Sequence, residues 1–287
     1  MSVSTKFYTL EAMVDAVVHE VSSQVTAHPA EHALILEPNF AWQANGSNAQ
    51  HELIIDCGKP RSMDALVWMH RHSEVDLPSP VSPWPYPSPS PSPSPFPTGV
   101  FADIYYSNDA STYTLAPLTV DPGVSGELLK ISEFSVSHAQ RYWKVVLSGV
   151  VPPNYYAPDD LRTSALWLAH KYEITAGAVF PREDTTVYPK ESFGMPYGDQ
   201  AFVGFSENEQ VKFTRIYTVD DDDYDTLMEV LASTNGGETI LAMQELDDDP
   251  MLVKIESAIS IETFAIGWRT VTIEFATVPI VGRDELY

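Results

Sequence analysis

The stretch HELIIDCGKPRSMDALVWMHRH, residues 51–72, decides the fold class. In its first nine residues Leu53, Ile55 and Cys57 alternate with more polar neighbours and Gly58 ends the run, the period-two pattern of a strand with one buried face. A second strand, SMDALVWMHRH, follows directly. Outward from it, ALILE (33–37), FADIYYSNDASTYTLA (101–116) and RYWKVVLSG (141–149) read as further short strands separated by turn residues. Such a succession predicts a β-sandwich over residues 30–152.

Upstream the period changes. Leu10, Met13, Val14, Val17, Val18 and Val21 stand at helical spacing, with Thr9 placed as N-cap and Glu11 in the first turn. An amphipathic helix is predicted within an N-terminal arm, residues 1–29. Its stripe either packs on its own domain or docks on a partner subunit.

Taken in order, LIIDCGKPRSMDALVWMHRH, ADIYYSNDASTYT and RYWKVVLSG carry a resemblance to the discoidin-like (F5/8 type C, galactose-binding-like) jelly roll. In that family an apolar strand ends in Asp-x-Gly-Lys, a later strand closes in a Ser-x-Asp-Gly-x-x-Trp-like turn, and a final strand is led by Arg-Tyr. The likeness covers about residues 30 to 150. Ala110 and Tyr113 stand where Gly and Trp are common, and the cysteine pair that often closes extracellular members is absent.

Within this unit PWPYPSPSPSPSPFP, residues 83–97, places a proline at every second position, inside a loop insertion spanning 78–98. Proline holds φ near −65° and removes a backbone donor, so the tract reads as a stiff polyproline II rod of roughly 45 Å if fully extended. Sandwich strands flank it on both sides, which makes it a loop and not an interdomain linker. It either spaces and shields, or acts as a contact arm anchored by Trp84, Tyr86 and Phe96.

After VPPNYYAPDD (151–160) a second unit is expected over 153–287: strands SALWLAHKYEI and VKFTRIYTV, a helix DYDTLMEVLAST stopped by Asn235, Gly236 and Gly237, and strands ETILAMQE, MLVKIESAI and GWRTVTIEFATVPI. Residues 175–210 read as a long loop. The fold class is therefore mainly β: a jelly-roll sandwich plus an α+β domain, an antiparallel barrel or sheet with one helix. From about 161 to 281 the order of elements is similar to the single-helix β-barrel of bacteriophage tail-tube, distal-tail and baseplate-hub proteins. That resemblance implies a tail-tip or baseplate structural protein, assembled in a symmetric ring with itself and with other virion proteins.

Sixteen basic against forty acidic residues give a net charge of −24, with −8 in residues 1–150 and −16 in 151–287. This disfavours a broad patch for nucleic-acid phosphates or anionic lipid. Cys57 is the only cysteine, so no intrachain disulfide can form. No uninterrupted apolar run suits a signal peptide or a membrane anchor, and synthesis and assembly in host cytoplasm, with residence in the virion, are expected.

No catalytic signature is present, and neither a catalytic residue, a metal nor a cofactor is expected. HPAEH (28–32) matches a zinc-protease spacing literally, but Pro29 and the strand-like ALILE argue against a helix presenting both histidines. His70 and His72 share a strand face without a third ligand. DDDDYD (220–225) reads as helix capping, and DDD (247–249) as solvated charge. The alternative to a virion role is a carbohydrate-binding module whose sandwich takes a glycan through Trp42, Trp84 or Tyr86.

Overall fold

The computed structural model describes residues 4–36, 40–44, 50–71, 100–120, 129–136, 138–149, 162–175, 178–179, 184–187, 190–194, 200–204, 210–234, 239–245, 250–256 and 260–278. The first strands are β1 (Thr5–Thr9), β2 (Val17–Val21), β3 (Trp42–Gln43), β4 (Gln50–Arg61) and β5 (Ala65–Arg71). Next come β6 (Val100–Ser107), β7 (Thr114–Leu115), β8 (Leu118–Val120), β9 (Leu129–Phe134), β10 (Gln140–Gly149) and β11 (Arg162–Ile174). Short strands β12 (Ala178–Val179), β13 (Asp184–Val187), β14 (Lys190–Gly194) and β15 (Gln200–Gly204) lie where a long loop was expected. β16 (Gln210–Asp220) leads into α1 (Asp221–Ser233), followed by β17 (Leu241–Glu245), β18 (Met251–Ile255), β19 (Ser260–Ala265) and β20 (Trp268–Thr277).

The alternation read in residues 51–59 is the inner face of β4. Leu53, Ile55 and Cys57 are fully buried and meet Trp143, Val145 and Leu147 of β10 and Ile104 of β6 in one core. These strands belong to a five-stranded sheet ordered β2-β4-β10-β6-β7. The same buried cluster takes in β5 and β9 of the other sheet, where Val67 and Met69 pair with Ile131 and Leu129. The pair of antiparallel layers is the expected sandwich, and each large side chain withdrawn from water contributes about 2 kcal/mol. Residues 72–99, with the whole proline tract and its Trp84, Tyr86 and Phe96, lie outside the described residues. They connect β5 in one layer to β6 in the other.

The predicted N-terminal helix does not form. Thr5–Thr9 and Val17–Val21 are strands, joined through a single 3-10 turn at Glu11–Met13. Leu10 and Met13 are buried as the stripe required, but Val14 and Val17 are 64% and 57% exposed. Four of the six stripe residues are valines, which lose χ1 freedom in a helix and fit a pleated edge, and β4 supplies the pairing partner. ALILE is likewise not a strand: Ala30–Leu34 is a 3-10 helix whose Ala30, Ala33 and Leu34 enter the sandwich core.

The other sheet has thirteen strands on the path β12-β16-β20-β18-β17-β1-β11-β5-β9-β8, with β3, β13 and β19 paired off it. Among the described strands this path is open, so of barrel and sheet the C-terminal half takes the sheet form. β11 is the hinge of the construction. Its first half pairs with β5 of the sandwich, and its second half pairs with β1, which in turn pairs with β17. The segment where the boundary at 152/153 was expected lies outside the described residues, and the strand after it serves both halves. β1 faces two cores: Tyr8 enters the sandwich core, and Phe7 enters a second core with Tyr217, Leu227, Val230, Val271 and Phe275 under α1.

Candidate functional site

The three motif segments converge at one end of the five-stranded sheet. Opposite Gln140 and Tyr142 of β10, the facing residues of β4 are Arg61 and Asp56, so the intervening Cys57–Pro60 form a bulge. Gly58 sits at φ 71°, a left-handed conformation that glycine adopts without a Cβ penalty, and its N–H donates to Asp56 Oδ1 at 2.8 Å. Arg141 braces the bulge from β10, donating through Nε and NH2 to the two Asp56 oxygens at 2.8 Å each. The guanidinium holds the Asp56 carboxyl below the usual carboxylate range, against the opposing effect of burial, and the Gly58 N–H adds to the lowering.

The Arg141 N–H reaches on to Asn108 Oδ1 at 3.1 Å, tying this brace to the turn after β6. There Asp109 Oδ1 accepts from the Thr112 and Ser111 N–H groups at 2.9 Å and from the Ser107 hydroxyl at 2.8 Å. These donors, the two backbone groups first, hold the exposed Asp109 carboxyl well below the usual range. Ala110 occupies the left-handed region at φ 57°, where the resembled family commonly has glycine. Tyr113, with Tyr105, flanks Lys144, whose Nζ lies 5.4 and 4.9 Å from the two rings.

The brace and the turn shape an open cleft of about 210 Å³, lined by Tyr106, Asn108, Asp109, Thr112, Thr114 and Gln140. Two amides, two threonine hydroxyls, a carboxylate and a phenol ring give it both hydrogen-bond donors and acceptors without a fixed cation. Ser107 also lines the cleft, its hydroxyl committed to Asp109 Oδ1. Sequence reasoning quoted this stretch for its fold and passed over it as a site. The signal was the run of small hydrogen-bonding residues Ser107–Thr112 between two strands.

Trp42, expected as a sugar platform, is fully buried; β3 pairs with the start of β11, the ring enters the sandwich core, and Nε1 donates to Ser23 O at 3.0 Å. A ring with no free face cannot stack on a glycan. HPAEH is a bend into the 3-10 turn with Pro29 extended, and His32 packs edge-on against Phe40 at 5.3 Å. Asp220 caps α1 by accepting from the Asp223 N–H at 3.0 Å. Asp223 accepts from the Thr175 hydroxyl at 3.0 Å, and Asp221 pairs with Arg269 at 2.8 Å. Asp247–Asp249 lie outside the described residues. Among the described residues no three His, Cys, Asp or Glu side chains group as metal ligands, and no helix is long and apolar enough to cross a membrane.

No protein-family model matches the chain, and no curated protein matches it in sequence. Solved structures similar to it include the C-terminal domain of a chitobiase from Bacteroides fragilis, at 13% identity and TM-score 0.37 over 56% of this chain and 97% of that one. A family 32 carbohydrate-binding module from Clostridium perfringens in complex with galactose is similar at 17% identity and TM-score 0.36, over 57% and 99% of the two chains. A second Clostridium perfringens module, in complex with GalNAc-β-1,3-galactose, is similar at 14% identity and TM-score 0.38 over 56% and 98%. Likenesses at this level say nothing of what this chain binds; the mainly β sandwich with antiparallel sheets and one helix stands on its own strand order.

Proposed function

We propose that the protein is a non-catalytic binding protein whose sandwich takes a neutral glycan in the cleft of the Ser107–Thr114 turn. The observation that carries this reading is the lining itself: amide and hydroxyl groups and one carboxylate around one aromatic edge, tied through Asn108 to the Asp56–Arg141 brace. Sugar hydroxyls both donate and accept, and they pair best with amides, hydroxyls and a carboxylate that are already fixed in place. Galactose and GalNAc-β-1,3-galactose, the sugars named with the similar Clostridium modules, are the first ligands to try. Calorimetric titration should give saturable binding, and Asn108→Ala with Thr114→Ala should weaken it by about 1 kcal/mol or more. A broad glycan array without a reproducible hit would end this reading.

A second reading is a structural subunit of a tailed-phage virion, made in host cytoplasm, forming a symmetric ring with itself and other tail proteins. It is supported by the order from β16 through an Asp-capped α1 to the long β18–β20 hairpin, the order that carries the tail-protein resemblance. Cross-linking of intact particles should then yield closed clusters of this chain. Single, unclustered copies, or absence from particles, would remove it.

A further inference from the structure

β18 and β19 run as one interrupted strand against β20, and their surroundings differ sharply. β18 has β17 on its other side, and its Leu252 and Val253 are buried. β19 pairs with β20 alone, and among the described residues no strand covers its second edge. Ser260, Ile261, Glu262, Thr263 and Ala265 are all exposed, and at the tip Ile266 is fully exposed and Trp268 is 44% exposed. A strand that stands in water on both faces with one edge unpaired offers a row of backbone donors and acceptors and adjacent apolar side chains.

Charge selects what can fill that edge. The first turn of α1 lies against the hairpin: a Cβ on Gly267 would stand 3.7 Å from Asp221 Oδ2. Asp220, Asp221, Asp222, Asp225 and Glu262 are exposed, while the only cation in residues 220–229 and 260–270 is Arg269. Arg269 is held by Asp221 at 2.8 Å and lies over the Tyr224 ring at 4.0 Å. A second copy would bring the same carboxylates to the same place, and an anionic bilayer would be repelled likewise.

We propose that β19 is a docking edge for an extended segment of a different protein, alternating in apolar and β-branched residues and flanked by Lys or Arg, which adds as a strand beside Ser260–Ala265. This inference is independent of the glycan cleft, which lies on the sandwich. The probe is a labelled synthetic peptide of alternating threonine and valine with two lysines at each end, titrated into the full-length chain. Saturable binding is expected, with slowed amide exchange in residues 260–265 and roughly tenfold weakening between low and physiological salt. The same peptide with glutamate flanks should not bind. Ile261→Asp, on an exposed position, should keep the melting temperature and lose about tenfold in affinity. No saturation up to about 1 mM, the weakest affinity worth a specific site, would overturn the proposal. So would equal binding of the glutamate-flanked peptide, or protection elsewhere in the chain. Concentration-dependent self-association that protects residues 260–265, or binding to phosphatidylserine vesicles through the hairpin, would overturn it in favour of a second copy or a lipid surface.

Discussion

The sandwich and the C-terminal sheet share β11 and are held by different means. The sandwich carries its polar fastening near its rim, where Arg141 clasps Asp56 across a bulge and Asp109 gathers the N–H groups of its own turn. The C-terminal sheet is fastened to the sandwich from within. Glu133 of β9, 7% exposed at its side chain, accepts from Lys6 and Tyr8 of β1 and from Lys171 of β11, each at 2.8 Å. Burial alone would push the Glu133 carboxyl up, yet Lys171, Lys6 and Tyr8 together hold it down at about 2. Burial, with the same carboxylate beside it, pushes the Tyr8 phenol up. Each region is therefore vulnerable at a different place: the brace ties neighbouring strands at the rim, while the buried cluster joins β1, β9 and β11.

The largest effect is expected at that cluster. Glu133→Ala leaves two ammonium groups and a buried phenol without their common acceptor and should cost about 3–4 kcal/mol, read from urea midpoints. If β11 couples the halves, tryptophan fluorescence and far-UV dichroism will lose both in one transition. A sandwich that survives while the rest melts would break the idea of a shared support.

Acid provides the next test. Glu133 titrates at about 2 when folded against an ordinary value of 4.5, so its contribution is fully present above pH 4.5 and is lost as pH falls toward 2. The loss should amount to roughly 3 kcal/mol, and Glu133→Gln should flatten that part of the stability profile. Asp56 shifts in the same direction, so rim and interior weaken together in acid. His170 runs the opposite way: the Asp64 carboxylate, 3.2 Å from its Nδ1, raises it against burial, so its contribution is present at low pH and fades as pH rises through its raised value.

At the rim, Asp56→Ala removes the acceptor for Arg141 and for the Gly58 N–H. Because Arg141 is 40% exposed and can turn to water, the cost should be about 1–2 kcal/mol. Glycan affinity should fall more than stability suggests, since Asn108 is oriented through the same arginine's backbone. Unchanged affinity would separate the brace from the cleft. The smallest effect is a gain: Ala110→Gly relieves a left-handed alanine, and the added freedom of the unfolded chain offsets part of it, leaving about 0.5 kcal/mol in melting experiments.

Local chemistry was enough for the inner face of β4 and for a capping aspartate at the start of α1, because alternation and capping act within a few residues. Gly58, expected to end its strand, instead sits in a bulge within β4, which runs on to Arg61, and the expected helix stop at Asn235, Gly236 and Gly237 lies outside the described residues. The order of Asp56, Ser107–Tyr113 and Arg141 along the chain also pointed to one sandwich, and the structure brings them together. Residues 10–21 show the limit. Their helical spacing was real, but spacing states only which residues could share a face; a 3-10 turn and one strand paired with β4 formed instead. Trp42 was legible as an aromatic and illegible as buried, since its environment is made by β11, more than a hundred residues away. Likewise nothing near Thr5 announces that β1 will stand between β17 and β11 and close two cores at once. Strand neighbours in a sheet are chosen by long-range hydrogen bonds and by the area buried on both faces, terms that exist only once the distant segments have met.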